Sequence, residues 1–372
     1  INYSKSIHEN FLNNLEFKLT NQQILVFQEI KKDLNNIYPM NRLLQGDVGS
    51  GKTVVATMAA LQVISNGYQV AFMAPTEILA EQHYEKLSTW LSKIGINVEL
   101  LIGSMNNKLK TEANKKIIDG EANLIVGTHA LIQEKVKFKF IGFYIIDEQH
   151  RFGVKQRLIL RKKSKLNKDF EPHQLMMSAT PIPRTLAMSY FADIDISIIN
   201  ELPPGRKSIT TKVFSDKKRN EILETINKHC LDGNQVYWVC PLIEESETLQ
   251  LETAKETFQG LSDYFVKHKV GLIHGRLDSK NKKEIMKKFQ NNEIKIIVAT
   301  TVIEVGVDVP NATLMVIENS ERMGLSQLHQ LRGRIGRGDK KSICIMLYKE
   351  SLSDLAKQRL RVIYDNSDGF KI

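Results

Sequence analysis

Twice along this chain, short apolar runs alternate with longer amphipathic segments, and that rhythm leaves few folds open. In the first half the runs are "NRLLQ", "QVAFMAP", "NVELLIG", "NLIVGT", "FYIIDE" and "QLMMSAT". They read as strands. Between them lie stretches such as "EILAEQHYEKLSTWLSKIG", with apolar residues at helical spacing and a closing Gly95. Strand–helix alternation of this kind implies an α/β fold, with parallel sheets that carry helices on both faces. The second half repeats the rhythm with "TTKVFS", "QVYWVCP", "KVGLIHG", "KIIVAT", "TLMVIEN" and "SICIMLY", separated by helices such as "DSKNKKEIMKKFQ". Between the halves Pro203, Pro204 and Gly205 break any regular element, so two domains are expected, residues 1–205 and 206–372. A chain of 372 residues is long enough for both, and 42% hydrophobic residues allow each a core. No repeat is visible in the sequence itself.

Only the first half carries a phosphate loop. Leu43–Ala56, "LLQGDVGSGKTVVA", contains G-x-x-x-x-G-K-T from Gly46 to Thr53. Gly46, Gly49 and Gly51 let the backbone turn tightly, so that the loop including Asp47, Val48 and Ser50 can aim N–H groups at phosphate oxygens. A helix opening at Lys52 adds the positive end of its dipole. Lys52 is expected to reach the β- and γ-phosphates, and the Thr53 hydroxyl to ligate Mg²⁺. The strand "NRLLQ" before the loop and the helix "TVVATMAALQVIS" after it supply the context that an ordinary glycine-rich turn does not need. ATP and Mg²⁺ are therefore the expected cofactors.

Such a loop needs a carboxylate partner. "FYIIDEQH" places Asp147 and Glu148 at the end of an apolar strand, where open α/β sheets position ligand groups. Asp147 is expected to hold Mg²⁺, directly or through water, and Glu148 to orient and deprotonate an attacking water. Acids at strand ends are often merely solvated; the loop upstream is what turns this pair toward chemistry.

Charge points the same way with less force. Lys and Arg total 52 against 42 Asp and Glu, giving +10, which fits a polyanionic partner or simply lysine used for solubility. Cys230, Cys240 and Cys344 show no metal-binding spacing and read as small buried hydrophobes in a reducing compartment. No apolar run approaches the ~18 residues of a membrane span, and "INYSKSIHENFLNN" is too polar for a signal peptide. The start at Ile1 is what a piece of a longer protein would show.

Four further stretches resemble a known family. "DEQH" (Asp147 to His150) resembles motif II of the superfamily 2 helicases and translocases, and "SAT" (Ser178 to Thr180) resembles motif III. "ATTVIEVGVDVP" is similar to motif V, with Thr300, Gly306 and Asp308 in matching places. "QLHQLRGRIGRG" holds Gln330, Gly333, Arg334 and Arg337 in the spacing of motif VI. These occur in family order and span nearly the whole chain. The resemblance implies two tandem RecA-like domains. It assigns catalysis to Lys52, Asp147, Glu148, Gln330, Arg334 and Arg337, nucleotide contacts to Gly306 and Asp308, and coupling to His150, Ser178 and Thr180.

The need for motif VI has a physical reason. Phosphoryl transfer concentrates negative charge on the γ-phosphate, and an arginine inserted there is worth ~10³–10⁵ in rate. Arg334 lies 282 residues beyond Lys52 (334 − 52), in the other domain. It and Arg337 are expected to act only when the two domains close on ATP, and release of that closure is a stroke. A basic surface run is the competing explanation of "RGRIGRG".

Gln23, after Leu19 and Thr20, sits where related proteins place an adenine-reading glutamine; a helix cap at Thr20 explains the pattern nearly as well. Pro75 and Thr76, with Gly127 and Thr128, resemble motifs Ia and Ib. With His274, Gly275 and Thr301 they are the expected sequence-blind nucleic-acid contacts, ordinary turn chemistry being the alternative.

"GDVGSGKT", "DEQHRFGVKQR" and "MSATPIPRTLA" narrow the resemblance to the bacterial branch that remodels stalled forks and Holliday-type junctions in recombination and repair. Branched DNA is then the implied partner, with a monomer in the bacterial cytoplasm and no membrane. A transcription-repair coupling factor-like translocase and an RNA helicase of the same superfamily are the runners-up. A non-enzymatic scaffold would be expected to lose Lys52, Glu148 or Arg337, and all three are present. The branch's N-terminal wedge domain has no match before Phe17, and the chain stops at "NSDGFKI", where a coupling hairpin would follow. A motor core without its wedge is expected.

Overall fold

The computed structural model describes residues 1–133, 135–148, 171–179, 194–201, 208–240, 247–300, 309–336, 338 and 340–366. Two compact units divide the chain, Ile1–Pro204 and Gly205–Ile372.

In the first unit, α1 (Lys5–Asn13) and α2 (Asn21–Leu34) precede β1 (Asn41–Gly46) and α3 (Lys52–Ile64). There follow β2 (Gln69–Met73), α4 (Glu77–Ser92), β3 (Val98–Leu101), α5 (Asn107–Asp119) and β4 (Leu124–Gly127). A 3-10 turn at His129–Ile132 leads to β5 (Ile141–Ile146), β6 (His173–Ser178) and β7 (Asp195–Ile199). The strands form one sheet in the order β3-β4-β2-β5-β6-β1-β7, every pairing parallel.

The period of two along each strand divides the apolar residues between two cores. Leu44, Phe72, Phe143, Ile145 and Leu175 pack with Phe27 of α2 and Val55 and Ala59 of α3. Their neighbours Leu43, Ala71, Met73, Tyr144, Ile146 and Met176 pack with Ala113 and Ile117 of α5. A strand covered on both faces has no polar side to show, which is why "IGFYII" in β5 is buried at every position. Each such side chain contributes about 1.5–3 kcal/mol by burial; Leu175→Ala would cost about 2–5 kcal/mol, cavity included.

The second unit runs β8 (Ile209–Ser215), a 3-10 turn at Asp216–Lys218, α6 (Arg219–Leu231), β9 (Gln235–Val239), α7 (Glu247–Tyr264) and β10 (Val270–Ile273). It continues with α8 (Ser279–Gln290), β11 (Ile296–Ala299), β12 (Ala312–Ile317), a 3-10 turn at Ser320–Arg322, α9 (Leu325–Arg332), β13 (Ser342–Tyr348) and α10 (Asp354–Asp365). Its sheet is also parallel, in the order β10-β11-β9-β12-β13-β8. Trp238, Val298, Val316 and Ile345 pack against Ile226 of α6 and Leu261 of α7.

The two strand orders are the same once β7 is set aside: β8 to β13 take the places of β1 to β6. A repeat that the sequence hides is thus plain in the topology. It extends to side chains. Gln69 opens β2 and donates to Ile117 O (3.0 Å) and Ala122 O (2.8 Å) at the end of α5. Gln235 opens β9 and donates to Phe289 O (2.5 Å) and Ile294 O (2.7 Å) at the end of α8. Each buried amide ties the last turn of a helix to the segment that leads into the next strand.

The α/β fold with two parallel sheets follows the expectation from alternation, and all twelve apolar runs became strands. The thirteenth, β7, was not expected. The three cysteines are buried and unpaired with one another. Burial pushes the Cys230 thiol up to about 11 and Cys344 to about 12. Among the described residues no helix is long and apolar enough to cross a membrane.

Candidate active site

The connection from β1 to α3 is shaped by its glycines. Gly49 and Gly51 adopt φ of +79° and +87°, where a side chain is strained. A Cβ on Gly51 would collide with the Gln23 amide, and one on Gly46 would lie 3.0 Å from Ile199 O. Lys52 opens α3, and its Nζ donates to Gly46 O (2.6 Å) and Asp47 O (3.0 Å). The side chain thus arches over its own loop, beside the positive end of α3. Thr53 follows in the first turn and is half-buried.

β5 delivers the carboxylates. Asp147 N donates to Met73 O (2.8 Å), which carries the strand pairing one residue past β5. Asp147 Oδ1 accepts the Glu148 N–H at 3.0 Å, and His83 Nε2 lies 2.8 Å from Oδ2. Burial works to raise the Asp147 pKa. The His83 hydrogen bond and charge, then Lys52, then the Glu148 N–H outweigh it and hold the carboxyl below its usual range. The group is therefore ionised, and the field of Lys52 reaches it. Glu148 itself sits at φ +50°, an uncommon conformation for a non-glycine residue, immediately after the strand.

Mg²⁺ fits this chemistry. The Thr53 hydroxyl and the ionised Asp147 carboxylate are hard oxygen donors, and Mg²⁺ is usually bound by one or two protein oxygens together with phosphates and water. Among the described residues there is no cluster of three or more His, Cys, Asp or Glu able to cage a metal.

Gln23 is 2% exposed. Its Oε1 accepts Thr20 N–H (2.9 Å), its own N–H donates to Thr20 Oγ1 (3.3 Å), and its Nε2 donates to Ser50 O (2.8 Å). The capping alternative is therefore present as a complete capping box. The same amide also braces the phosphate loop.

The other expected residues gather at strand ends. Met73 is paired with Gly127 across β2 and β4, so Pro75–Thr76 and Gly127–Thr128 emerge side by side. Thr76 caps α4 through its hydroxyl (3.4 Å to Leu79 N), and a Cβ on Gly127 would strike Leu101 O. Thr128 is buried. Ser178 ends β6 opposite Gln45, one residue before Gly46. In the second unit, His274 and Gly275 follow β10, and Lys282 Nζ donates to Gly275 O (2.9 Å). Burial and then the charges of Lys255, Lys282 and Arg276 depress the His274 pKa, which marks a positive field at that edge. Gln330 lies in α9 and Arg334 just beyond it, both half-buried. His150, Thr180, Thr301, Gly306, Asp308 and Arg337 lie outside the described residues.

Sequence reasoning passed over His83, whose place in "EILAEQHYEKL" looks like any polar position of an amphipathic helix. It also passed over Arg332. That buried guanidinium donates to Thr211 Oγ1 (3.2 Å), Ile363 O (2.9 Å) and Asn366 O (2.8 Å), fastening α10 to the sheet.

Two parallel sheets of one strand order, with a phosphate loop in the first alone, are the layout of the superfamily 2 helicases. The family profile for DEAD/DEAH box helicases matches residues 20–189, and that for the helicase conserved C-terminal domain matches residues 217–339. Within this class the chain belongs to the RecG family. It is 52% identical over 373 residues to the ATP-dependent DNA helicase RecG of Pasteurella multocida (strain Pm70), covering 100% of this chain and 54% of that protein. A solved structure of RecG bound to a three-way DNA junction aligns with a TM-score of 0.84 at 44% identity, covering 100% of this chain and 48% of the other. S. cerevisiae Dbp5 bound to RNA and ADP BeF3 shares the fold, with a TM-score of 0.70 at 19% identity over 97% of this chain and 91% of that one. The chain spans about half the length of the curated relatives it matches.

Proposed function

We propose that the chain is an ATP-hydrolysing motor core of a DNA helicase that acts on replication forks and Holliday-type junctions, in recombination and repair. Residues 1–205 form its ATP-binding domain and residues 206–372 its helicase C-terminal domain. The observation that carries this reading is the convergence of the glycine loop, Lys52 and an ionised Asp147 at one sheet edge, in a chain 52% identical throughout to proteins named DNA helicases.

ATP phosphates lie on the N–H groups of residues 46–53, and Lys52 turns from its loop carbonyls to the β- and γ-oxygens. Thr53 and Asp147 would hold Mg²⁺, which when bound would neutralise phosphate charge. Glu148 orients the attacking water and takes its proton. Gln330, Arg334 and Arg337 answer the charge that develops on the γ-phosphate, an effect of ~10³–10⁵ in rate for an inserted arginine. Gly306 and Asp308 contribute to nucleotide binding. Gln23 acts through the loop it braces. DNA phosphates are gripped by Pro75, Thr76, Gly127, Thr128, His274, Gly275 and Thr301, without reading sequence. His150, Ser178 and Thr180 link the two activities. The protein works as a monomer in the bacterial cytoplasm.

ATP turnover measured with forked DNA, linear duplex and single-stranded RNA tests this. Forked DNA is expected to stimulate most, with an affinity that falls steeply with salt. Stronger stimulation by RNA would replace the reading with an RNA helicase.

A further inference from the structure

His83 touches the hydrolysis site and has no part in the chemistry above. It lies seven residues after Thr76 (83 − 76), two turns along the same face of α4. Its ring stacks at a tilt on Phe72 of β2, with centroids 4.6 Å apart, while Nε2 meets Asp147 Oδ2 at 2.8 Å. Both side chains are largely out of water, at 12% and 14% exposure. With Oδ1 on the Glu148 N–H and Oδ2 on His83, the carboxylate plane is set, and each oxygen keeps a lone pair for a cation.

The same helix carries the candidate DNA contacts at its other end. Thr76 caps it, and Glu77 Oε1 accepts Ser104 N–H at 2.8 Å. Lys110 Nζ donates to Gly103 O at 2.5 Å, so the loop from β3 to α5 is tied to the first turn of α4. A ligand pressed on Pro75–Thr76 bears on α4 as a body, and His83 is the point at which α4 grips the metal carboxylate.

We propose that His83 is a positioning residue through which α4 orients Asp147 for its divalent cation, so that DNA at the N-terminus of α4 and metal at Asp147 are coupled. The proposal rests on the function proposed above. A shift of α4 stretches the Oδ2 contact and leaves the Oδ1 contact in place, which rotates the carboxylate. Linkage then requires that metal binding favour the α4 position that DNA favours.

The test uses the whole chain and two variants. His83→Phe keeps a ring against Phe72 and removes the donor; His83→Gln returns an N–H near the position of Nε2. Mn²⁺, standing in for Mg²⁺, is titrated against the chain with a non-hydrolysable ATP analogue, and free Mn²⁺ is followed by electron paramagnetic resonance. ATP turnover with and without duplex DNA is measured alongside. His83→Phe is expected to weaken Mn²⁺ ~10-fold, in the range of changes to groups that orient metal ligands. Analogue affinity without metal stays unchanged, most DNA stimulation is lost, and His83→Gln recovers both to within about threefold. Wild-type Mn²⁺ affinity in His83→Phe would overturn the proposal. So would weakened Mn²⁺ binding with DNA stimulation intact. If the phenylalanine chain does not fold, His83→Asn carries the same test, since its amide is too short to reach Oδ2. A wild-type chain that neither binds the analogue nor turns over ATP would refute the functional reading, and this inference with it.

Discussion

β5 in the first unit and β12 in the second stand fourth in their sheets, and each is followed by a carboxylate. Asp147 N donates to Met73 O at 2.8 Å, and Glu318 N donates to Val239 O at 3.0 Å, in each case the last residue of the neighbouring strand. The helix after the first strand of each sheet opens with a cation, Lys52 in α3 and Arg219 in α6. In the second unit cation and carboxylate meet. Arg219 lies 2.5 Å from Glu318 Oε1, Trp238 Nε1 donates to the same oxygen at 2.9 Å, and the guanidinium lies 4.9 Å from the Trp238 ring. In the first unit Lys52 donates to loop carbonyls, Asp147 Oδ2 takes His83, and Lys52 acts on the carboxylate through its charge. The connection decides the difference. Asp47–Gly51 contains two positive-φ glycines and arches away, whereas Asp216–Lys218 is a tight 3-10 turn that sets Arg219 directly on Glu318. One sheet edge is an open glycine loop and its counterpart a closed ion pair, although both place opposite charges at the same points.

Turnover should separate the two pairs most widely. Lys52→Ala is expected to lower ATP turnover ~10²–10³-fold, as loss of a donor to transition-state charge does. Glu148→Gln should lower it ~10²-fold or more while nucleotide binding persists, since only the base is lost. Arg219→Ala should leave turnover within about twofold, because its pair serves the fold. A collapse of turnover in Arg219→Ala to the level of Lys52→Ala would erase the distinction.

Acid should act on the first unit through His173. Its Nδ1 accepts Met40 N–H at 2.9 Å, and burial pushes its pKa down from 6.5 to about 4. The folded unit keeps the ring neutral while the unfolded chain takes a proton. Stability is therefore full above pH 6.5 and falls as pH drops toward about 4, by about 3 kcal/mol over that window. His173→Asn, which keeps an acceptor for Met40, should remove that part of the acid loss from the unfolding transition reported by Trp90 and leave the Trp238 transition alone. Identical acid profiles in wild type and variant would show that the ring does not govern it.

The smallest expected effect is the stability cost of opening the closed pair. Arg219→Ala leaves Glu318 with Trp238 as its near donor, and the side chain removed is 39% exposed, so solvent already weakens its charge. A loss of about 1–2 kcal/mol is expected, seen as a Tm lower by roughly 2–6 °C. Glu318→Gln, which can still accept from both partners, should lose less; a larger loss would mean that the charge matters more than the hydrogen bonds.

Much of this was legible in the sequence wherever a residue's role depends on its neighbours in the chain. The twelve apolar runs show their strands because a strand covered on both faces has nothing polar to interrupt it. β7, "DISII", has Asp195 and Ile198 exposed at the sheet edge and reads like its loop. The glycine loop was legible because the residues expected to face phosphate are eight consecutive ones, Gly46 to Thr53. Contacts between distant segments left no trace. His83 and Asp147 are 64 residues apart, and Arg219 and Glu318 are 99 apart. Nothing local distinguishes these residues from solvated ones, and only the strand order brings them together.

The Gln23 amide closes the first turn of α2 on one side and holds the Ser50 carbonyl on the other. Helix and loop are thereby hinged on a single planar group. A loop that reorients Ser50 as it wraps phosphate must either carry that plane with it or let the helix fray. The backbone hydrogens of Thr20 and Gln23 are thus a gauge of the loop from which they are remote in sequence, and deuterium uptake at those two sites should slow when nucleotide steadies the loop. The head of α2 is thereby expected to report the occupancy of a loop 27 residues away in the chain.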